Sequence, residues 1–343
     1  MTSLRYEPGP PATVDLGDNT NLWGTPPAAQ AALLAAAARG VSRYPSAYGD
    51  RLKEAAARHV GVTAAQVITG CGSDDVLDVA IRTAAAPGER LAFSAPTFTM
   101  IPIFGEINRL ANVAVPFQPD WDVDVDRLLA AGAAVTFLCA PNNPTGTGIS
   151  RAAIEAIVRD AAGLVIIDEA YAEYAGTTAV DLVEHSDRLL VTRTLSKAFG
   201  LAGQRVGYGI GAPALIRRLE GARGPYKVTT ISEAAAVAAL EDDREWVAAR
   251  VAETLAIRAR FESAVAAETT WQLLPSQANF VLAVPAPGSP DSVDALIRRL
   301  RARDISGRRI DDFPGEGGAM RLTIGPWEML APVVEAMAEG GAR

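Results

Sequence analysis

The sequence predicts an α/β protein in which a large domain, with a mostly parallel sheet flanked by helices, is accompanied by a smaller α+β domain. Three observations carry this reading. Short apolar runs at 90–94, 113–117, 135–140, 164–168, 189–193 and 205–209 alternate with helical stretches, the pattern of a parallel sheet covered on both faces. Two of them run into residues with polar chemistry, Asp168 and the Pro141-Asn142-Asn143-Pro144 turn, at the carboxyl edge where open α/β sheets bind ligands. After Ser232 the chain changes to a long helical pattern rich in Ala, Glu and Arg that reaches about Ala267; an apolar run at 279–284, a helix near 292–303 and a strand carrying Arg321 follow. The expected division is an N-terminal arm with part of the small domain at 1–42, a large domain at 43–235 and a small C-terminal domain at 236–343.

Composition bounds the function. The 343 residues, 49% hydrophobic, are enough to bury a large core. A net charge of −8 argues against a nucleic-acid partner, whose phosphates demand a basic face. Arginines at 298, 299, 301 and 303 are most simply the solvated face of a helix. Cys71 and Cys139 are too few and too far apart for a disulfide framework, and with only His59 and His185 no metal site or histidine triad is expected. No positively charged leader precedes an apolar core, and no run of about twenty apolar residues occurs, so the expectation is a cytoplasmic protein without a membrane partner. The alanine-rich 28–38 stretch reads as a short amphipathic helix. No internal repeat is present.

Four strings carry chemistry. Arg193-Thr194-Leu195-Ser196-Lys197-Ala198-Phe199-Gly200 follows an apolar run and places a lysine between small residues, where an amine can form an imine with an aldehyde cofactor. A lone lysine, however, is ordinarily a solvated surface residue. Leu164-Val165-Ile166-Ile167-Asp168 is a buried strand ending in a carboxylate able to pair with a protonated ring nitrogen, or to cap a helix. Pro141-Asn142-Asn143-Pro144-Thr145-Gly146 is a rigid turn that can hold the Asn143 amide at the same edge. Thr69-Gly70-Cys71-Gly72-Ser73-Asp74-Asp75 lies between a strand and a helix, which suits a phosphate cradle and equally a plain helix start capped by Ser73 or Asp74.

Taken together these strings resemble the fold type I aminotransferases that depend on pyridoxal 5'-phosphate, and Arg-Thr-Leu-Ser-Lys-Ala-Phe-Gly-Leu-Ala-Gly with Asp-Glu-Ala-Tyr most resembles the histidinol-phosphate aminotransferase branch. The similarity runs from about Leu16 to Gly325, with every motif in the family's order. It implies that 43–235 is the cofactor domain, that Lys197 bonds the cofactor aldehyde and shuttles the proton, and that Asp168 partners the ring nitrogen. Asn143 and Tyr171 would bond the phenolic oxygen, and Phe98, on its own a core residue, would lie on the ring face. The phosphate would be held by Gly72 and Ser73 with Asp74 nearby, by the Thr194 and Ser196 hydroxyls and by Arg205. Tyr44 would reach the cofactor of a neighbouring subunit, which implies a homodimer. Arg321 would grip the substrate's carboxylate or its equivalent. Guanidinium forks suit both anions, although an isolated arginine is more often a structural ion pair.

The substrate is less sharply specified. For histidinol phosphate with 2-oxoglutarate as acceptor, the resemblance implies a phosphate site at Arg308, with Tyr44 and Arg321 adding to it, or at Arg309. Two departures stand against this: Trp23 replaces the family's phosphate-contacting tyrosine in Asn19-Thr20-Asn21-Leu22-Trp23-Gly24, and Asp311 and Asp312 follow the arginine pair. A wider aromatic wall would suit aromatic amino acids, and threonine-phosphate decarboxylation can run on the same scaffold. A nucleotide-binding module is the rival outside this class, on Gly207-Tyr208-Gly209-Ile210-Gly211-Ala212, but the acidic ribose partner about twenty residues on is missing. A binding protein without turnover would leave the lysine, carboxylate and arginine with no joint purpose.

Overall fold

The computed structural model describes residues 11–311, 313 and 317–340. The chain enters through β1 (Val14–Asp15) and the helix Pro27–Ala38. It then builds one sheet from β2 (Val67–Cys71), β3 (Arg90–Ala95), β4 (Ala111–Pro116), β5 (Val135–Cys139), β6 (Leu164–Asp168), β7 (Leu189–Thr194) and β8 (Val206–Gly211). Their order across the sheet is β2-β8-β7-β6-β5-β3-β4, as expected mostly parallel, with β8 antiparallel to both neighbours. Helices cover both faces, which explains the uninterrupted apolar runs. In β6, Leu164 and Ile166 enter one core while Val165 and Ile167 enter the other.

The last strand begins one residue later than expected and continues to Gly211, leaving Arg205 outside it in a left-handed conformation at φ 52°. Its glycines have a packing reason. A Cβ on Gly207 would stand 2.2 Å from the Ser73 backbone nitrogen, so this strand must be bare where the helix Gly72–Ala84 begins. The glycine pattern at 207–211 therefore lies within a strand and is not the phosphate loop of a nucleotide site.

The smaller unit is an antiparallel sheet, β12-β13-β10-β9, made by β9 (Trp271–Leu273), β10 (Phe280–Pro285), β12 (Arg308–Ile310) and β13 (Ala319–Thr323); β11 (Ile305–Ser306) pairs in parallel with β1. Phe261, Val265, Leu296, Leu330 and Val333 pack in its core. The described part of the N-terminal stretch divides between the two cores, with Leu16 in the small one and Ala29 in the large one.

The long helix expected from Ser232 to Ala267 is two helices, Thr230–Glu241 and Arg244–Glu268. Asp243, 5% exposed, stands at the break. Its carboxylate accepts the backbone N–H groups of Ala28 and Ala29 at 3.1 and 2.8 Å, capping the helix Pro27–Ala38 from a distant part of the chain. That helix packs on Thr230–Glu241 through small side chains, with Ala29 and Ala36 buried and Leu34 exposed, so its amphipathic character is slight.

Candidate active site

Parallel strands end at one edge, so the loops after β2, β3, β5, β6 and β7 converge there, and the start of antiparallel β8 joins them. A cavity of about 1050 Å³ opens at this edge and reaches β12 and β13 of the smaller sheet. Ser73, Asp74, Phe98, Asn143, Asp168, Tyr171, Thr194, Ser196, Lys197, Arg205, Arg308 and Arg321 all line it. Gly72 is buried directly behind Ser73. Residues separated by as much as 248 positions in the chain are thus gathered at one place.

Lys197 follows the end of β7 and lies partly open to the cavity. Its Nζ donates to the Asp18 carbonyl at 2.8 Å, and burial together with the positive charge of Arg321 lowers its pKa to about 8. Asp168 ends β6 and is 3% exposed. The Thr192 hydroxyl donates to its Oδ1 at 2.8 Å, while Oδ2 has the Cys139 thiol at 3.9 Å. Burial raises this carboxyl to about 7, outweighing the Thr192 bond and the charge of Lys197, which act in the opposite direction.

Tyr171 is buried, packs edge-on against Phe280 at 5.1 Å and lies with its ring centroid 6.0 Å from Lys197 Nζ. The Pro141–Gly146 turn is tied down by Asn142, whose Nδ2 donates to the Pro96 carbonyl and the Thr145 hydroxyl at 3.0 and 2.9 Å. This frees the next side chain, Asn143, for the cavity, where its Oδ1 accepts from Arg321. Arg321 also donates to the Gly17 carbonyl, and its guanidinium lies 5.5 Å from the Phe280 ring centre.

The glycine turn packs closely against an arginine from a distant part of the chain. Gly72 has φ +79°, and a Cβ there would stand 2.6 Å from Arg205 Nη2. Arg205 pairs with Asp74 at 3.2 Å and approaches the Ser196 hydroxyl at 3.5 Å. Neither Ser73 nor Asp74 caps the helix; Cys71 is the N-cap residue, and its backbone N–H goes to Asp75 at 3.1 Å. An anion at this turn would meet the helix's positive end and a guanidinium already aimed by a carboxylate.

Within one chain, two predicted residues are not brought to the cavity. Tyr44 is 82% exposed and stacks on Tyr226 at 4.7 Å. Trp23 is half-buried and stands outside the lining residues. Both basic candidates on β12 line the cavity; Arg309 is ion-paired with Asp294 and Asp311, and Arg308 sits in register with Arg321 on the neighbouring strand. Asp311 is therefore occupied by Arg309; Asp312 lies outside the described residues.

Sequence reasoning missed Asn19. Its Nδ2 donates to the Tyr171 hydroxyl oxygen at 3.0 Å, and it lines the same cavity. It also missed a buried support beneath the site, where Arg193 bonds Glu169, Glu173 and the Thr178 hydroxyl. Glu169 and Arg193 each follow or precede a recognised residue, Asp168 and Thr194, and that adjacency was the available signal.

The family model for aminotransferase class I and II matches residues 11–337. A histidinol-phosphate aminotransferase of Roseiflexus castenholzii is 36% identical over 95% of this chain and 89% of its own length, and one of Chromobacterium violaceum is 37% identical over 92% and 89%. The crystal structure of histidinol-phosphate aminotransferase from Sinorhizobium meliloti in complex with pyridoxal-5'-phosphate superposes with a TM-score of 0.89 at 25% identity, covering 99% of this chain and 97% of that one.

Proposed function

The chain belongs to the aminotransferase class I and II family, and on that premise we propose that it transfers the amino group of histidinol phosphate to an oxo acid, with 2-oxoglutarate the expected acceptor. It is a pyridoxal-phosphate-dependent aminotransferase. The residues present fit that cofactor. Asp168 is a buried acid raised to about 7 that suits a cationic partner, the absence of a side chain at Gly72 lets the Arg205 guanidinium close on the turn, and Lys197 is an amine lowered to about 8. Ser73, Thr194, Ser196 and Arg205 would hold the phosphate, Asn143 and Tyr171 the phenolic oxygen, and Phe98 the ring face. Bound there, pyridoxal phosphate supplies an electron-accepting ring that stabilises the charge left when a proton departs from the amine-bearing carbon.

The chain's own residues supply the rest. A lysine at about 8 is neutral in roughly one molecule in ten at pH 7, against fewer than one in a thousand for a free lysine. Neutral Lys197 can therefore attack an aldehyde and, once released, take and return a proton. Asp168, once paired with a cationic nitrogen, holds that charge in place. Arg321, braced by Asn143 and Gly17, presents a fork to the anionic end of the substrate.

The observation that carries the substrate is the agreement of relatives at 36–37% identity over nearly the whole chain, together with Arg308 and Arg321 side by side at the cavity. The aromatic alternative drew on Trp23, and a half-buried Trp23 off the cavity wall withdraws that support. We further assign Tyr44 to the cofactor phosphate of a second subunit, in a cytoplasmic homodimer, with a cofactor domain at 43–235 and a small domain at 236–343 completed by 1–42. Mixing the holoenzyme with histidinol phosphate, phenylalanine, tyrosine, glutamate or threonine phosphate should bleach the visible absorbance fastest with the first. A faster aromatic donor, or release of CO2 from threonine phosphate, would overturn the substrate assignment.

A further inference from the structure

What aims Tyr171 lies far from it in the chain. A phenol has one proton to donate and an oxygen that accepts. Asn19 Nδ2 already donates to that oxygen at 3.0 Å, so the phenolic proton is left for an acceptor in the cavity that both residues line. Asn19 is itself held at both of its backbone polar groups, and one of the two partners is fixed in turn. Its backbone N–H donates to the Thr323 hydroxyl at 3.0 Å, its carbonyl accepts from Asn279 Nδ2 at 3.1 Å, and the Thr323 hydroxyl is fixed on the Leu16 carbonyl at 2.7 Å. It is 1% exposed and sits at φ 54°, in the left-handed region that asparagine and aspartate enter more readily than other non-glycine residues.

We propose that Asn19 is a positioning residue of the active site: its amide sets the direction of the Tyr171 hydroxyl, so that Tyr171 donates to the phenolic oxygen of bound pyridoxal phosphate. This rests on the cofactor reading above. Burial pushes the Tyr171 hydroxyl above its ordinary range, so it keeps its proton and serves as a donor, while the Asn19 bond and Arg321 work in the opposite direction. An Asn19→Asp variant tests the direction itself. Aspartate has the same shape and tolerates the left-handed backbone, but its carboxylate accepts where the amide donates, so the phenolic proton turns toward it.

The readout is the pH titration of the holoenzyme's visible absorbance. Donation to the phenolic oxygen favours its anionic form, so its loss should move the midpoint upward by about half to one pH unit, the equivalent of one hydrogen bond. Tyr171→Phe should move the midpoint the same way, and adding Asn19→Asp to Tyr171→Phe should move it no further. If Asn19→Asp does not fold, Asn19→Gly replaces it, since glycine keeps the backbone and deletes the amide. An unmoved midpoint in the single variant, or an equal additional shift in the Tyr171→Phe background, overturns the proposal and leaves the cofactor reading intact. A protein showing no visible band that Lys197→Ala removes would overturn the cofactor reading and this inference with it.

Discussion

Asp168 shows at the scale of one residue how burial and chemistry oppose each other. The fold places a carboxyl at the end of β6 with 3% exposure and one full hydrogen bond, and burial lifts its pKa to about 7. In the unfolded chain the same group titrates near 3.9. Between these values the folded protein binds the extra proton, so the cofactor-free protein loses stability as pH rises from about 4 to about 7. The contribution missing above pH 7 amounts to at most about 4 kcal/mol. Asp168→Asn removes that penalty, because the amide carries no charge at any pH. We therefore expect the cofactor-free Asp168→Asn protein to melt several degrees higher than the parent at pH 8 and no higher at pH 4, while the loaded variant loses nearly all turnover. Equal melting temperatures across pH would show that Asp168 is already paired in the cofactor-free fold.

At the scale of elements, the turn from β2 into the helix Gly72–Ala84 shows what a local string can and cannot disclose. Its glycines announced a tight turn, but whether that turn held a phosphate or merely started a helix depended on Arg205, which arrives 133 positions later and whose guanidinium fills the space a side chain at 72 would take. Gly72→Ala puts a methyl group 2.6 Å from that guanidinium at a backbone angle of +79°. Titration of the cofactor-free variant with pyridoxal phosphate should show affinity weakened tenfold or more, about 1.4 kcal/mol. Binding within twofold of the parent would remove this turn from the phosphate site. Strands were legible for a related reason. Helices on both faces leave every position of β5, β6 and β7 buried, and the apolar runs this favours, such as Leu164 to Ile167 and Leu189 to Val191, stand out in sequence. The break at Asp243 did not, because its reward is a cap on a helix more than two hundred residues earlier. Asn19 was hidden in the same way, its partners Tyr171 and Thr323 lying 152 and 304 positions away.

For the whole molecule, two sheets meet at the cavity: the large one supplies Lys197, Asp168 and the turn at Ser73, and the small one supplies Arg308 and Arg321. Trp121 stacks on Phe313 at 5.5 Å, joining a loop of the large body to the strand connection of the small one. One aromatic element remains outside this closure. Tyr44 and Tyr226 stack on each other on the surface, 82% and 45% exposed, with Val41 and Leu34 also uncovered nearby in the chain. Large exposed apolar groups of this kind mark contact surfaces, and a Tyr44 that serves a cofactor phosphate must serve that of a facing copy. Subunit mixing decides it. Tyr44→Ala alone should bind pyridoxal phosphate weakly, and Lys197→Ala alone should be inactive. In a mixed dimer, one site receives an intact Lys197 from the first chain and an intact Tyr44 from the second, while the other site carries both defects. Dissociating and reassociating the two variants together, at a cofactor concentration too low for Tyr44→Ala, should restore turnover toward one quarter of the parent value. With equal mixing, half of the dimers are hybrid and each hybrid has one working site. If Tyr44 acted only within its own chain, every site in the mixture would lack one of the two residues, and no activity would return.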